Sequence, residues 1–184
     1  MRIIAGSYKG RQLQSVPGKL TRPTTDKVKE AVFQVIGPFF NEGSCLDLFA
    51  GSGSLGLEAL SRGMTSGVFV DKNPKAIHTI HENVKLLKLA EQTEIFRAEA
   101  FRALQAASKR NLQFDLIFLD PPYGKVSYVK LLERISNLQL LKSNGMIYYE
   151  HGTSEKMPKE IGSFLMSKQA DYGGTISITI YKRR

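Results

Sequence analysis

Tryptophan is absent from the 184-residue chain, and cysteine occurs once, at Cys45. A single thiol excludes an internal disulfide framework and any zinc site built from several cysteines, and it suits a reducing cytosol. No apolar run approaches the roughly 18 residues of a membrane-spanning helix, and the opening MRIIAGSYKG has no hydrophobic signal-peptide core. These absences predict a cytoplasmic protein with no membrane partner. Acidic residues are missing from the first 25 positions, which hold Arg2, Lys9, Arg11, Lys19 and Arg22. The imbalance extends to the whole chain, where 26 Lys and Arg oppose 17 Asp and Glu for a formal charge of +9, which favours a polyanionic partner such as nucleic acid. Surplus surface lysine on an ordinary protein would leave the same balance. With 42% hydrophobic residues the chain can fill one core but not two.

Residues 1–25 read as a basic hairpin extension and residues 26–184 as the main domain. In the extension RIIAG and RQLQSV flank a glycine-containing turn, a hairpin too small to fold alone. Next, Val28, Ala31, Val32, Val35 and Ile36 form an apolar stripe at helical spacing, with Thr24 or Thr25 as N-cap and Gly37-Pro38 as the stop. Beyond Gly43 short apolar runs alternate with helical segments, the pattern of a parallel sheet covered on both faces. Strands are expected at 44–49, 66–71, 94–98, 114–120 and 146–151, and helices at 55–62, 74–89, 101–109 and 126–141. Gly63 and Asn144-Gly145 serve as stop signals, and Leu86, Leu87 and Leu89 fall on a core face. The final 164–182 stretch, interrupted by Gly173-Gly174, predicts an antiparallel hairpin at one sheet edge. The expected fold is α/β and Rossmann-like, with seven mostly parallel strands and an antiparallel last strand.

The loop Asp47-Leu-Phe-Ala-Gly-Ser-Gly-Ser-Leu-Gly56 runs from an expected strand into an expected helix, and Gly51, Gly53 and Gly56 satisfy G-x-G-x-x-G. That pattern serves dinucleotide-binding and methyl-donor-binding folds alike. Asp47, four residues before Gly51, favours the second, because its carboxylate can meet the ammonium of an amino-acid moiety but would repel a pyrophosphate. Asp71 ends the next strand, placed to accept hydrogen bonds from both hydroxyls of a ribose. Glu99 follows the third strand, where it can orient an adenine edge. The candidate cofactor set is Asp47, Phe49, Ala50, Gly51, Ser52, Gly53, Asp71, Lys72, Glu99, Ala100 and Asp120, and the cofactor it favours is S-adenosylmethionine.

The fourth strand, Phe114-Asp-Leu-Ile-Phe-Leu-Asp120, runs directly into Pro121-Pro122-Tyr123. Open parallel sheets bind their ligands at this carboxyl edge. The composition suits methyl transfer to an exocyclic amine, whose lone pair is delocalised and which must be held and polarised as it attacks. Asp120 can accept one N–H and the Pro121 carbonyl the other, proline presets the backbone direction, and Tyr123 can stack on a base. Asp120, Pro121, Pro122 and Tyr123 are therefore the candidate catalytic residues.

The Asp47–Gly53 loop, Asp71 and Asp120-Pro-Pro-Tyr123 resemble the motifs of class I S-adenosylmethionine-dependent methyltransferases acting on amino groups. The wider text, Arg2-Ile-Ile-Ala-Gly6, Lys9-Gly-Arg11, Arg22-Pro-Thr-Thr-Asp26, Leu46-Asp-Leu-Phe-Ala-Gly-Ser-Gly53 and Leu57-Glu-Ala-Leu-Ser-Arg-Gly63, is similar to the RsmD family of bacterial 16S ribosomal RNA guanine-N2 methyltransferases. The resemblance spans essentially the whole chain. It implies a monomeric enzyme that methylates the N2 of one guanine in 16S rRNA, within an assembling or assembled small ribosomal subunit. Asp120 to Tyr123 would surround the target amine, and Lys9, Arg11 and Arg22 would contact RNA. Glu99 stands where many family members carry Asp.

The residues alone leave rivals open: DNA adenine-N6 or protein-glutamine methylation, an NAD-dependent dehydrogenase, or a non-enzymatic RNA-binding module. An amide substrate is usually met by Asn in place of Asp120, and a dehydrogenase leaves 120–123 unexplained. His78 and His81, three apart on an expected helix, have no partners for a metal site and read as solvated. His151 follows the fifth strand, within reach of a substrate, and Lys182-Arg183-Arg184 can reach RNA phosphate or fray.

Overall fold

The computed structural model describes residues 1–18 and 26–184. The proposed N-caps Thr24 and Thr25, and the RNA contact assigned to Arg22, lie outside them. The main chain runs α1 (Asp26–Ile36), β1 (Ser44–Asp47), α2 (Ser54–Ser61), β2 (Ser66–Asp71), α3 (Pro74–Leu87), β3 (Thr93–Arg97), α4 (Ala100–Lys109), β4 (Phe114–Leu119), α5 (Tyr128–Asn137), β5 (Leu141–Gly152), β6 (Glu160–Ile161), β7 (Phe164–Tyr172) and β8 (Ile176–Arg183). These strands form one sheet in the order β3-β2-β1-β4-β5-β8-β7-β6.

Neighbours among β1 to β5 pair in parallel, whereas β8 pairs antiparallel with both β5 and β7. The expected terminal hairpin is therefore present, with β8 inserted between β5 and β7. The order reverses between β1 and β4, the switch point outside whose carboxyl ends ligands bind in open α/β sheets. Successive strand residues point to opposite faces, and this divides the core into two layers. Cys45, Phe118 and Tyr148 face α1, α2 and α3 through Phe33, Leu57 and Ile80. Leu46, Ile117 and Tyr149 face α4 and α5 through Leu104, Leu131 and Ile135. Both faces being covered explains why β4 reads FDLIFL rather than as an alternating strand.

Four expectations need correcting, the fourth in the N-terminal arm. Helix α5 ends at Asn137, and Asn144-Gly145 lies inside β5, where the register with β4 jumps from Phe114↔Leu141 to Leu116↔Met146. The turn-forming pair marks a bulge in a strand, not the end of a helix. The two-residue β6 adds an eighth strand at the edge, a pairing too short to leave a sequence signal. Leu86 is 44% exposed, while Leu87 and Leu89 are core.

The basic N-terminal stretch forms one antiparallel bridge, Arg2↔Gln12, rather than two strands. It lies on α2 so closely that a Cβ at Gly6 would sit 1.8 Å from the Ser61 carbonyl oxygen. The fully buried Glu58 carboxylate accepts from the Ile4 and Ala5 amides at 2.9 and 3.0 Å and pairs with Lys29 Nζ at 3.2 Å and Arg62 Nε at 2.8 Å. Burial lowers the Lys29 pKa against the opposing pull of Glu58. Removing one member of such a buried group costs about 3–5 kcal/mol, because the remaining charge stays buried and unpaired. Asn83, also fully buried, accepts from the Gln14 amide at 2.8 Å and donates to the carbonyls of Gln14 and Ser52 at 3.0 and 2.9 Å. One amide thus joins the arm to the glycine loop.

Candidate active site

A cleft of about 950 Å³ opens at the carboxyl ends of β1, β2, β4 and β5. Of the expected cofactor set, Asp47, Phe49, Ala50, Gly51, Ser52, Asp71, Lys72, Glu99, Ala100 and Asp120 line it, together with Pro121, Pro122 and Tyr123. Gly53 does not. It sits at the N-cap of α2 with φ 81°, and a Cβ there would face Leu57 and Phe69. Lys9 and Arg11 are exposed on the arm, away from the cleft wall, while Met1 and Val16 of the same arm help form that wall.

At the first end, the loop after β1 turns through Gly51 (φ 57°), whose missing Cβ would meet nothing within 4 Å. The backbone is therefore bare toward the cleft. Asp71 Oδ2 accepts from the Gly51 amide at 2.9 Å and its Oδ1 from the Asn73 amide at 2.8 Å, so this carboxylate aligns the loop it faces. Asn73, not Asp71, caps α3 by accepting from Lys75 N. Asp47 Oδ2 accepts from the Gly56 amide at 3.1 Å. Burial, against that hydrogen bond and helped by the neighbouring Asp71 charge, pushes the Asp47 carboxyl up to about 7. Two carboxylates at adjacent strand ends and a side-chain-free backbone between them fit a ligand that carries a cation at one end and a diol at the other. Glu99 is differently engaged: its Oε2 caps α4, accepting from the Phe101 and Arg102 amides at 3.0 and 3.3 Å.

At the second end, Asp120 follows β4 and leads into buried Pro121, exposed Pro122 and Tyr123, which is 53% exposed. The Tyr123 hydroxyl donates to Glu150 Oε1 at 3.3 Å, and buried Tyr148 donates to Glu150 Oε2 at 2.7 Å. Burial raises the Glu150 carboxyl above the usual range despite both hydroxyls. The Tyr123 phenol is pushed up by burial and then by the charges of Glu150 and Asp120. This end is an anionic pocket suited to N–H donors, with Lys125 and Lys130 also on the wall. Glu150 was not anticipated; a charged residue near the end of the apolar run Met146-Ile-Tyr-Tyr149 is the signal that could have found it.

His151 is a core histidine: Nδ1 donates to the Gly152 carbonyl at 3.0 Å, which leaves Nε2 to accept from Thr179 at 2.8 Å. His78 and His81 are exposed, and no metal-binding cluster exists among the described residues. No helix among them is long and apolar enough to cross a membrane.

The sheet order, the antiparallel insertion after β5 and a glycine loop between carboxylates at the ends of β1 and β2 define the Rossmann-like class I methyltransferase fold. More narrowly, the chain belongs to the family described as Conserved hypothetical protein 95, whose profile matches residues 1–182. This agrees with the resemblance to the RsmD family. The chain is 49% identical to the Bacillus subtilis (strain 168) protein YlbH over 184 residues, all of both chains. It is 36% identical over 151 residues to the Ribosomal RNA small subunit methyltransferase D of Haemophilus influenzae, covering 82% of this chain and 78% of that one. Among solved structures, a Streptococcus pyogenes conserved hypothetical protein superposes with a TM-score of 0.80 at 39% identity, covering 85% of this chain and 96% of the other.

Proposed function

We propose that the protein transfers a methyl group from S-adenosylmethionine to the exocyclic N2 of one guanine in 16S rRNA, acting as a cytoplasmic monomer on an assembling or assembled small ribosomal subunit. The observation that carries this reading is the shared cleft, with Asp47, the glycine loop after β1 and Asp71 at one end and Asp120–Tyr123 at the other. The name of the Haemophilus influenzae relative supports ribosomal RNA as the substrate. When bound, S-adenosylmethionine supplies an electrophilic sulfonium methyl. Asp47 would hold its amino-acid ammonium and Asp71 its ribose hydroxyls, with the bare Gly51 backbone leaving room for close approach.

Asp120 and the Pro121 carbonyl would accept the two N–H bonds of the amine and so orient its lone pair. As the N–C bond formed, the bond from sulfur to the methyl would break and leave a neutral thioether, while the Asp120 carboxylate would offset the positive charge gained by nitrogen and take the proton that nitrogen then loses, passing it to solvent. Tyr123 holds the base by stacking. Residues 1–25 form an RNA-contacting extension of the methyltransferase domain, 26–184, through Lys9, Arg11 and Arg22.

The test is mass mapping of 16S rRNA from a strain lacking this gene, followed by methyl transfer to its small subunits by the purified protein. One missing N2-methylguanine, restored in vitro, is expected. Methylation of adenine or of a protein glutamine would move the assignment within the class, and failure to bind S-adenosylmethionine would leave a non-enzymatic module or an NAD enzyme.

A further inference from the structure

Glu150 is a cleft-lining carboxylate to which the mechanism above gives no task. It is 5% exposed and shares the wall with Asp120 and Pro121. Its two oxygens are unequal. Oε2 is anchored from below by the fully buried Tyr148 at 2.7 Å, whereas Oε1 receives only the longer 3.3 Å bond of half-exposed Tyr123. A carboxylate offers about four acceptor positions, so Oε1 keeps room for a further donor.

We propose that Glu150 reads the target base, its Oε1 accepting the ring N1–H that flanks the amine of guanine. The inference rests on the guanine-N2 reading and sharpens it. Guanine presents three N–H bonds along this edge, one on N1 and two on N2, and Asp120, the Pro121 carbonyl and Glu150 are three acceptors. Adenine carries a lone pair at N1 beside its amine. Set there, adenine N1 would oppose Glu150 Oε1 lone pair to lone pair and leave its remaining acceptor position unfilled, which a site built for hydrogen bonding penalises. The base specificity of the pocket thus lies on β5, apart from the motif that holds the amine.

The experiment compares single-turnover methylation by wild type, Glu150→Gln, Glu150→Ala and Tyr123→Phe. The substrates are small subunits from the gene-deleted strain, and subunits reconstituted with 2-aminopurine at the guanine that wild type modifies. 2-Aminopurine keeps the amine but lacks N1–H. Wild type should prefer guanine by about 100-fold, the scale for leaving a buried polar group unsatisfied. Glu150→Gln can donate to N1, so it should narrow that ratio at least about tenfold while slowing on guanine. Calorimetric S-adenosylmethionine affinity, the check on folding, should stay within a few-fold in every variant. Tyr123→Phe should keep the guanine preference, because it removes only the tether. Equal use of both bases by wild type overturns the proposal, as does an unchanged ratio in Glu150→Gln, even if both Glu150 variants are slow. If wild type forms no N2-methylguanine at all, the guanine reading itself fails and this proposal with it.

Discussion

At the β1–β2 end of the cleft the carboxylates of Asp47 and Asp71 are held by backbone amides, whereas at the β4–β5 end Glu150 is held by two phenol hydroxyls. The first arrangement is built from neighbouring loops and helix starts, and its hydrogen bonds recur whatever the surrounding side chains are. The second depends on side chains brought from one strand, β5, and from the surface turn after β4, one of them a half-exposed tyrosine. A pocket for an invariant small molecule is served by the first design. A base swung in from a large RNA is better met by the second, where Tyr123 can move without disturbing the sheet.

The comparison is tested most severely by Asp120→Ala, which should reduce single-turnover methylation about 10²- to 10³-fold, the scale for losing one electrostatic group at a reacting centre. Donor affinity, measured by calorimetry, should remain within a few-fold. A large loss of donor binding would mean that the two ends are not separable. Next comes Asp71→Ala, which removes the acceptor for two amides and, in the proposed role, for a ribose. Donor affinity should fall by about 1–3 kcal/mol, with little change in the rate at saturating donor.

A smaller effect is expected from pH. Asp47 is pushed up to about 7 from an unfolded value near 3.9. The folded unliganded protein therefore holds a proton that the unfolded chain has released. The stability associated with this group is full below about pH 4 and is lost as pH rises through about 7. Donor binding runs the other way, since an ammonium needs the ionised carboxylate. Affinity should rise by up to about tenfold per unit toward pH 7 and then level off, and Asp47→Asn should abolish that slope. Smallest is the Lys9 and Arg11 double alanine variant. It should reduce the salt slope of RNA binding by about 0.7 to 0.9 for each lost phosphate contact and leave donor affinity unaltered. An unchanged slope would limit the arm to a structural part.

The first end of the cleft was legible because its determinants are local. A strand, a glycine turn and a helix follow one another in sequence, and the acids fall at strand ends that hydrophobic runs mark. Asp120 to Tyr123 was legible for the same reason. Glu150 was not, because its meaning comes from Tyr123 and Tyr148, and only the pairing of β4 with β5 brings 123 and 150 together. The Asn144-Gly145 bulge was misread because the same dipeptide ends helices, makes turns and breaks a strand's register. The arm read as a hairpin that packs on or projects from the main domain, since nothing in its own residues announces Glu58, a carboxylate on α2 beyond α1 and β1 in the sequence. A lone Glu amid Leu57, Ala59 and Leu60 was the available hint.

Asn83 carries one more consequence. Its single side chain binds Gln14 by both backbone groups and Ser52 by its carbonyl. The arm is therefore not a detachable module that could be exchanged between enzymes to redirect them to another RNA. Trimming it takes Gln14 from Asn83 and the Met1 sulfur from the Ser52 hydroxyl, unroofs the cleft wall at Met1 and Val16, and takes two amides from Glu58. The glycine loop and the arm are thus built as one unit: substitutions at exposed Lys9 and Arg11 leave the buried grip on α2 and α3 untouched, whereas substitutions at the arm's buried face do not.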